Sequence, residues 1–207
     1  MNEIPNWLRS QDPKLQEEII TASQVVEITA DTEILREGQY VKVIPIVISG
    51  LIKVFSRYDE KELLLYYVKA DDSCIMSFSA GISNKPSRVF ALTEEDSLVM
   101  LLPVNRLQDW MNRYPGLNAL FYSQYNMRYV EILDTLNHLL FDKLDKRVMH
   151  YLHEKAELTG KNPLHISHRQ IASELGTARE VVSRIVKKLE LEGKLHQGSS
   201  SIELLEL

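Results

Sequence analysis

The sequence of 207 residues predicts an α+β chain: an N-terminal antiparallel β-roll or jelly roll, one long helix, and a C-terminal winged helix-turn-helix. Three observations carry this expectation. Short β-rich runs separated by turn residues fill the first part of the chain. After Pro103 that pattern stops, and a stretch free of Gly after Gly116 and of Pro after Pro115 follows. From Lys143 onward, cap signals delimit two short helices that meet at Gly176.

In chain order, a short helix is expected over 14–22. Strands follow at 25–28, 33–35, 44–49, 51–56, 63–68, 89–92 and 98–102. "ISGLIKVFSRYDEKELLLYYV" reads as strand, Ser-Gly turn, strand, charged hairpin, strand. Roughly eight strands of this kind close into a small barrel or jelly roll with room for one small ligand. The long helix is expected over 114–141. Its apolar residues Leu117, Phe121, Tyr125, Tyr129, Ile132, Leu136 and Leu139 recur at steps of three and four, the seam of a helix that packs along another helix. At ~1.5 Å per residue such a helix is roughly 40 Å long and exceeds the width of a small barrel, so part of it is expected to pair with a second copy.

"FDKLDKRVMHYLHEKAELTG" restarts a helix that ends at Gly160, Asn162 and Pro163. Ser167 with Gln170 forms one capping box, Gly176 stops that helix, and Thr177 with Glu180 forms a second box that opens the next. Two short helices at a tight turn give a helix-turn-helix, whose second helix is shaped to enter a DNA major groove. Placed at 100° per residue, that helix turns Val182, Ile185 and Leu189 one way, with Val181 and Val186 on the flanks. Arg179, Glu180, Ser183, Arg184 and Lys187 face the other way. Arg suits bidentate contact with guanine, Glu accepts from a cytosine amino group, and Ser or Lys bonds base or phosphate. The alternative is a solvated charged face. Beyond Gly193, residues 194–197 and 202–205 read as strands around Gly198–Ser201, either a wing that touches phosphate or a hairpin that covers the core.

Charge follows the same division. The whole chain has 24 Lys+Arg and 29 Asp+Glu; residues 143–207 hold 11 and 9, a net of +2, leaving 13 and 20, a net of −7, for residues 1–142. Five of the six His also lie in the C-terminal part, so that part is the candidate for a polyanion partner. One cysteine, Cys74, excludes an intramolecular disulfide and a four-cysteine zinc or iron–sulfur site. It reads as a small core residue, with a redox sensor as the alternative. Neither a signal-peptide pattern nor an apolar run of membrane-spanning length is present, so a cytoplasmic protein without a membrane partner is expected. Residues 1–137 contain no His, and no catalytic triad, phosphate loop or dinucleotide fingerprint occurs. A metal-dependent barrel enzyme therefore lacks its ligands, and no enzyme is expected. A module whose winged helix binds protein is the remaining alternative.

The order of parts, and "HRQIASELGTAREVVSRIVKKLELEGKL" in particular, resembles the CRP/FNR family of bacterial transcription regulators over nearly the whole chain. The resemblance implies a cyclic-nucleotide-binding-like sensor roll at 1–113, a dimerisation helix at 114–141 and a winged helix-turn-helix DNA-binding domain at 142–207. It implies a homodimer on double-stranded, near-palindromic DNA, an effector in the roll, and RNA polymerase as a further partner. Arg179, Glu180, Ser183 and Arg184 fall on the family's base-reading positions. Arg169 and Gln170 fall where the preceding helix meets phosphate, and Thr177 and Lys187 complete the expected DNA face.

The roll departs from cyclic-nucleotide-binding members. Met76-Ser77 stands near their Gly-Glu pair, so the ribose-binding carboxylate is missing. Ser87-Arg88 stands at their Arg-Ser pair in reversed order, and a one-residue shift in an extended segment turns a side chain to the other face. Met76, Ser77, Ser87 and Arg88 are thus the candidate effector pocket, cyclic AMP is not expected to bind, and the effector is unidentified. An iron–sulfur cluster lacks its cysteines, no metal is expected, and His138 reads as a surface or interface residue rather than a haem ligand.

Overall fold

The computed structural model describes residues 4–58, 61–141 and 143–205, with the backbone alone at 61 and 137–141. His138 and Leu139 therefore fall outside the described side chains. The chain divides into two compact units, residues 1–56 with 65–132 and residues 57–64 with 133–207.

In the first unit, α1 (Asn6–Arg9) and α2 (Pro13–Ala22) lead into seven strands, of which the fourth and fifth run on into residues 57–64 of the second unit. These are β1 (Gln24–Ile28), β2 (Glu33–Leu35), β3 (Val43–Ser49), β4 (Ile52–Tyr58), β5 (Lys61–Val68), β6 (Phe90–Thr93) and β7 (Ser97–Pro103). They form two sheets, ordered β1-β7-β3 and β2-β6-β4-β5, the double sheet of a jelly roll. Strand alternation builds two cores from one sheet. From β3 and β7, Ile44, Ile46, Met100 and Leu102 pack against Leu8, Leu15, Ile19, Leu107, Trp110, Leu117 and Phe121 of the helices. Val47 and Val99 point the opposite way, to Ile52, Val54, Tyr66, Val68 and Ala91 of the other sheet. Gly50 makes the β3–β4 turn at φ +94, where a Cβ would come within 2.3 Å of Ser97 Oγ and 2.7 Å of the Asp96 carbonyl.

Three helices absent from the sequence reading complete this unit: α1, α3 (Ile75–Ile82) and α4 (Val104–Arg113). The sequence of α3, IMSFSAGI, has two Ser and a Gly among eight residues and little intrinsic helix preference, so tertiary packing selects its conformation. The long helix α5 (Pro115–Phe141) is present, but its apolar seam is two faces rather than one. Leu117 and Phe121 are buried together with Gln124 and Arg128, at steps of four, three and four. Tyr125, Tyr129 and Leu136 are about half exposed, as are Val130 and Leu133, while Tyr122 is 78% exposed. A hydrophobicity pattern steps from Phe121 to Tyr125 because the buried position between them, Gln124, is polar.

The second unit holds α6 (Leu144–Thr159), α7 (His168–Glu174), α8 (Arg179–Leu191), β8 (Leu195–Gln197) and β9 (Ile202–Leu204). Val148, Leu152, Ile171, Val182, Val186 and Leu189 centre its core. The hairpin β8–β9 covers that core with Leu195, Ile202 and Leu204 and leaves His196, Gln197 and Glu203 exposed. No helix of the described residues is long and apolar enough to cross a membrane.

Candidate nucleic-acid interface

Two backbone turns set the pitch of α7 and α8. Ser167 caps α7, its Oγ accepting from the Gln170 N–H at 3.1 Å. The other half of the expected box is absent, since the Gln170 side-chain amide donates to Glu174 instead. At the far end Gly176 adopts φ +64; its N–H donates to the Ser173 carbonyl and that of Thr177 to the Ala172 carbonyl. This Schellman closure corrects the second capping box. Thr177 finishes α7 and leaves Ala178 as the N-cap of α8, with the Val181 and Val182 N–H groups donating to the Ala178 carbonyl. The same closure recurs at Gly193, where the Gly193 and Lys194 N–H groups donate to Glu190 and Leu189.

Held this way, α8 separates into an inner and an outer face. Val182, Val186 and Leu189 are at most 2% exposed, and Ile185 is half-buried against them. Val186 is a core residue rather than a flank. Each such burial stabilises the frame by roughly 1.5–3 kcal/mol. Arg179, Glu180, Arg184 and Lys187 are exposed, as is Arg169 on α7, while Thr177, Gln170 and Ser183 are half-buried. Among the described residues no hydrogen bond or ion pair occupies the head groups of Arg179, Arg184 or Lys187. Lys188 differs: its Nζ lies 2.6 Å from Asp145 Oδ2 on α6 and 3.6 Å from Glu192. These contacts raise the Lys188 pKa and lower that of Asp145.

Ser183 is engaged from two sides. Its Oγ donates to the Arg179 carbonyl at 3.0 Å and lies 2.9 Å from Nδ1 of His168, the first residue of α7. Burial, and then the charge of Arg179, lowers the His168 pKa. The sequence reading passed over His168, although its neighbour Arg169 was singled out. It also missed Glu174, which is 2% exposed and accepts from Tyr151 Oη at 2.8 Å, with Lys155 Nζ at 3.7 Å. A helical count would have found it, because Glu174 follows Ile171 by three and so shares the apolar face.

In the roll, a cavity of about 80 Å³ lies between the sheets, lined mainly by apolar side chains including Ile28, Leu35, Val41, Val99 and Leu101. Of the four expected pocket residues only Ser77, buried on α3, lines it. Ser87 bonds its own turn, donating to the Val89 carbonyl at 2.9 Å, and Arg88 is exposed. The expected grouping fails because residues 87 and 88 alternate inward and outward, and of the neighbours Met76 and Ser77 on α3 only Ser77 lines the cavity. Cys74 is buried, with its Sγ 3.8 Å from Tyr66 Oη. Arg128, which no motif marked, is 3% exposed; it bonds Asp72 Oδ2 at 2.6 Å and Glu131 at 2.7 Å, and stacks over the Tyr66 ring. Burial raises the Asp72 pKa against the opposing charge of Arg128.

Comparison with known proteins agrees with this geometry. Residues 146–207 match the Crp-like helix-turn-helix domain. The chain is 23% identical over 189 residues to the CRP-like protein Clp of Xanthomonas euvesicatoria, an alignment covering 84% of this chain and 80% of that protein. A crp/fnr-family transcriptional regulator from Eubacterium rectale superposes with a TM-score of 0.86 at 23% identity, covering 100% of this chain and 95% of the other. The c-di-GMP responsive global regulator CLP of Xanthomonas campestris does so with a TM-score of 0.82 at 20% identity, covering 95% and 100%. Residues 146–207 are thus a Crp-like helix-turn-helix domain, and the chain along its whole length has the fold of the crp/fnr-family regulators on which it superposes.

Proposed function

We propose that the chain acts as a homodimer that reads a near-palindromic operator with α8 in the major groove, under the control of an effector held in the roll. Residues 1–113 serve as the sensor, 114–141 as the dimerisation helix and 142–207 as the DNA reader. The observation that carries this reading is the division of α8: a fully packed apolar face opposite Arg179, Glu180, Arg184 and Lys187, whose charges are left for a partner. Arg179 and Arg184 contact guanine, Glu180 a cytosine amino group, and Lys187, Arg169, Gln170 and Thr177 the phosphates. The exposed apolar residues of α5 support pairing with a second copy. RNA polymerase is the partner through which such a regulator acts on transcription, and the reading needs no catalysis and no membrane partner. Selection from random duplexes with the full chain is expected to return a two-fold symmetric, guanine-containing site with half-sites about 34 Å apart. Selection without a consensus would overturn this reading in favour of protein binding by the winged helix.

The effector, on this account, is neither cyclic AMP nor a cyclic dinucleotide. The regulator CLP of Xanthomonas campestris responds to c-di-GMP. Here the cavity between the two sheets, about 80 Å³ and mostly apolar, is far below the roughly 300–1,000 Å³ of ligand pockets, which favours a smaller, less polar molecule at that place. Calorimetry with cyclic AMP, cyclic GMP and c-di-GMP is expected to give no binding tighter than about millimolar. A micromolar dissociation constant would overturn it.

A further inference from the structure

We propose that His168 is a positioning residue for base reading: it fixes the hydrogen-bonding polarity of the Ser183 hydroxyl and makes DNA binding proton-linked. The inference rests on α8 being the DNA-reading helix. Ser183 Oγ carries one proton and two lone pairs. The Arg179 carbonyl, 3.0 Å away, can only accept, so the serine proton points to it. The 2.9 Å contact with His168 therefore runs the other way, with Nδ1–H donating to Oγ. One lone pair remains, and Ser183 offers a base edge an acceptor and no donor. Its preferred partner is an amino group, adenine N6 or cytosine N4, rather than a keto oxygen or purine N7. If the neutral ring shifts its proton to Nε2, the bare Nδ1 competes for the serine proton and this lock is lost.

Protonation of the ring secures the lock, because both nitrogens of imidazolium donate. In the free protein that form is held down by burial and by Arg179, the charged group on α8 that acts on the ring; along the chain its neighbours are Arg169 in α7 and His165 in the preceding loop. Phosphates at α8 offset the Arg179 charge and raise the affinity of His168 for its proton. Binding then takes up a proton, and affinity rises as pH falls through and below the ordinary imidazole range.

The test uses the full chain and a selected duplex, with dissociation constants read by fluorescence anisotropy from about pH 8 to about pH 5.5 at fixed ionic strength. Wild type is expected to tighten several-fold over this range. His168→Asn keeps a donor near the Nδ1 position but cannot titrate, so it is expected to retain the preferred base and to lose part of the pH slope. The other five histidines are common to both proteins, so the difference isolates His168. His168→Ala is expected to lose that slope and to relax one position of each half-site. A wild-type slope in His168→Asn, or unchanged base preference in His168→Ala, would overturn the inference while DNA reading stands. Failure of selection to yield any site would overturn both.

Discussion

On α2, Glu18 accepts hydrogen bonds from the Arg113 guanidinium at 2.6 and 2.7 Å, from Trp110 Nε1 at 2.9 Å and from Tyr114 Oη at 2.9 Å. The Arg113 bonds contribute most to holding its pKa down at about 2, against an ordinary 4.5. A carboxylate whose folded pKa is depressed adds stability that is fully present above its unfolded pKa and is lost as pH falls towards the folded one. Glu18→Gln is therefore expected to lower the urea midpoint of the first unit at neutral pH. The gap from wild type should close between about pH 5 and pH 2; a constant gap across that range would refute the assignment. Among the cations of α8, Lys187 and Lys188 are adjacent but unlike. Lys187→Ala is expected to weaken all duplexes alike and to reduce the salt slope by about one, whereas Lys188→Ala, with its head group on Asp145, should change that slope less. Equal slope changes would show that DNA displaces Asp145.

At the scale of elements, α5 carries two jobs on two faces, and substitutions should separate them. Leu117→Ala, at a fully buried site, is expected to cost about 2–5 kcal/mol of first-unit stability without changing the number of chains per particle. Leu136→Asp, at a site 47% exposed, is expected to halve the particle mass in sedimentation with little loss of unfolding free energy. A wild-type particle of one chain at tens of micromolar would refute the pairing. Strands and the helix-turn-helix were legible beforehand because period-two alternation and Gly or Ser caps are local signals; Ser167, Gly176 and Gly193 each stand where expected. Thr177 was misread because the same backbone can close one helix or open the next, and the choice depends on where the Ala172 carbonyl points. Helix α3 was illegible because packing, not propensity, forms it. Arg128, Gln124 and Glu174 were hidden because a buried polar residue is recognisable only with its partners: Asp72 for Arg128, Ser73 for Gln124, Tyr151 for Glu174. The candidate base readers were legible as one helix face, whereas the roll residues were placed by resemblance alone, and α3, which carries Met76 and Ser77, has no local sequence signal.

For the whole molecule, a chain of net charge −5 binds DNA only if its field is uneven, and residues 143–207 hold the excess of positive charge, 11 Lys+Arg against 9 Asp+Glu. Non-specific attraction is therefore expected to be modest, and discrimination must come from base contacts on α8 rather than from bulk charge. The direct measurement is the ratio of affinities for a selected duplex and a scrambled one, at a single stated salt concentration, for wild type and Arg184→Ala. If Arg184 reads a base, its removal costs about 1–3 kcal/mol on the selected duplex, leaves the scrambled one nearly unchanged, and relaxes one position in each half-site. An equal loss on both duplexes would contradict base reading by α8 and reduce that face to a basic surface.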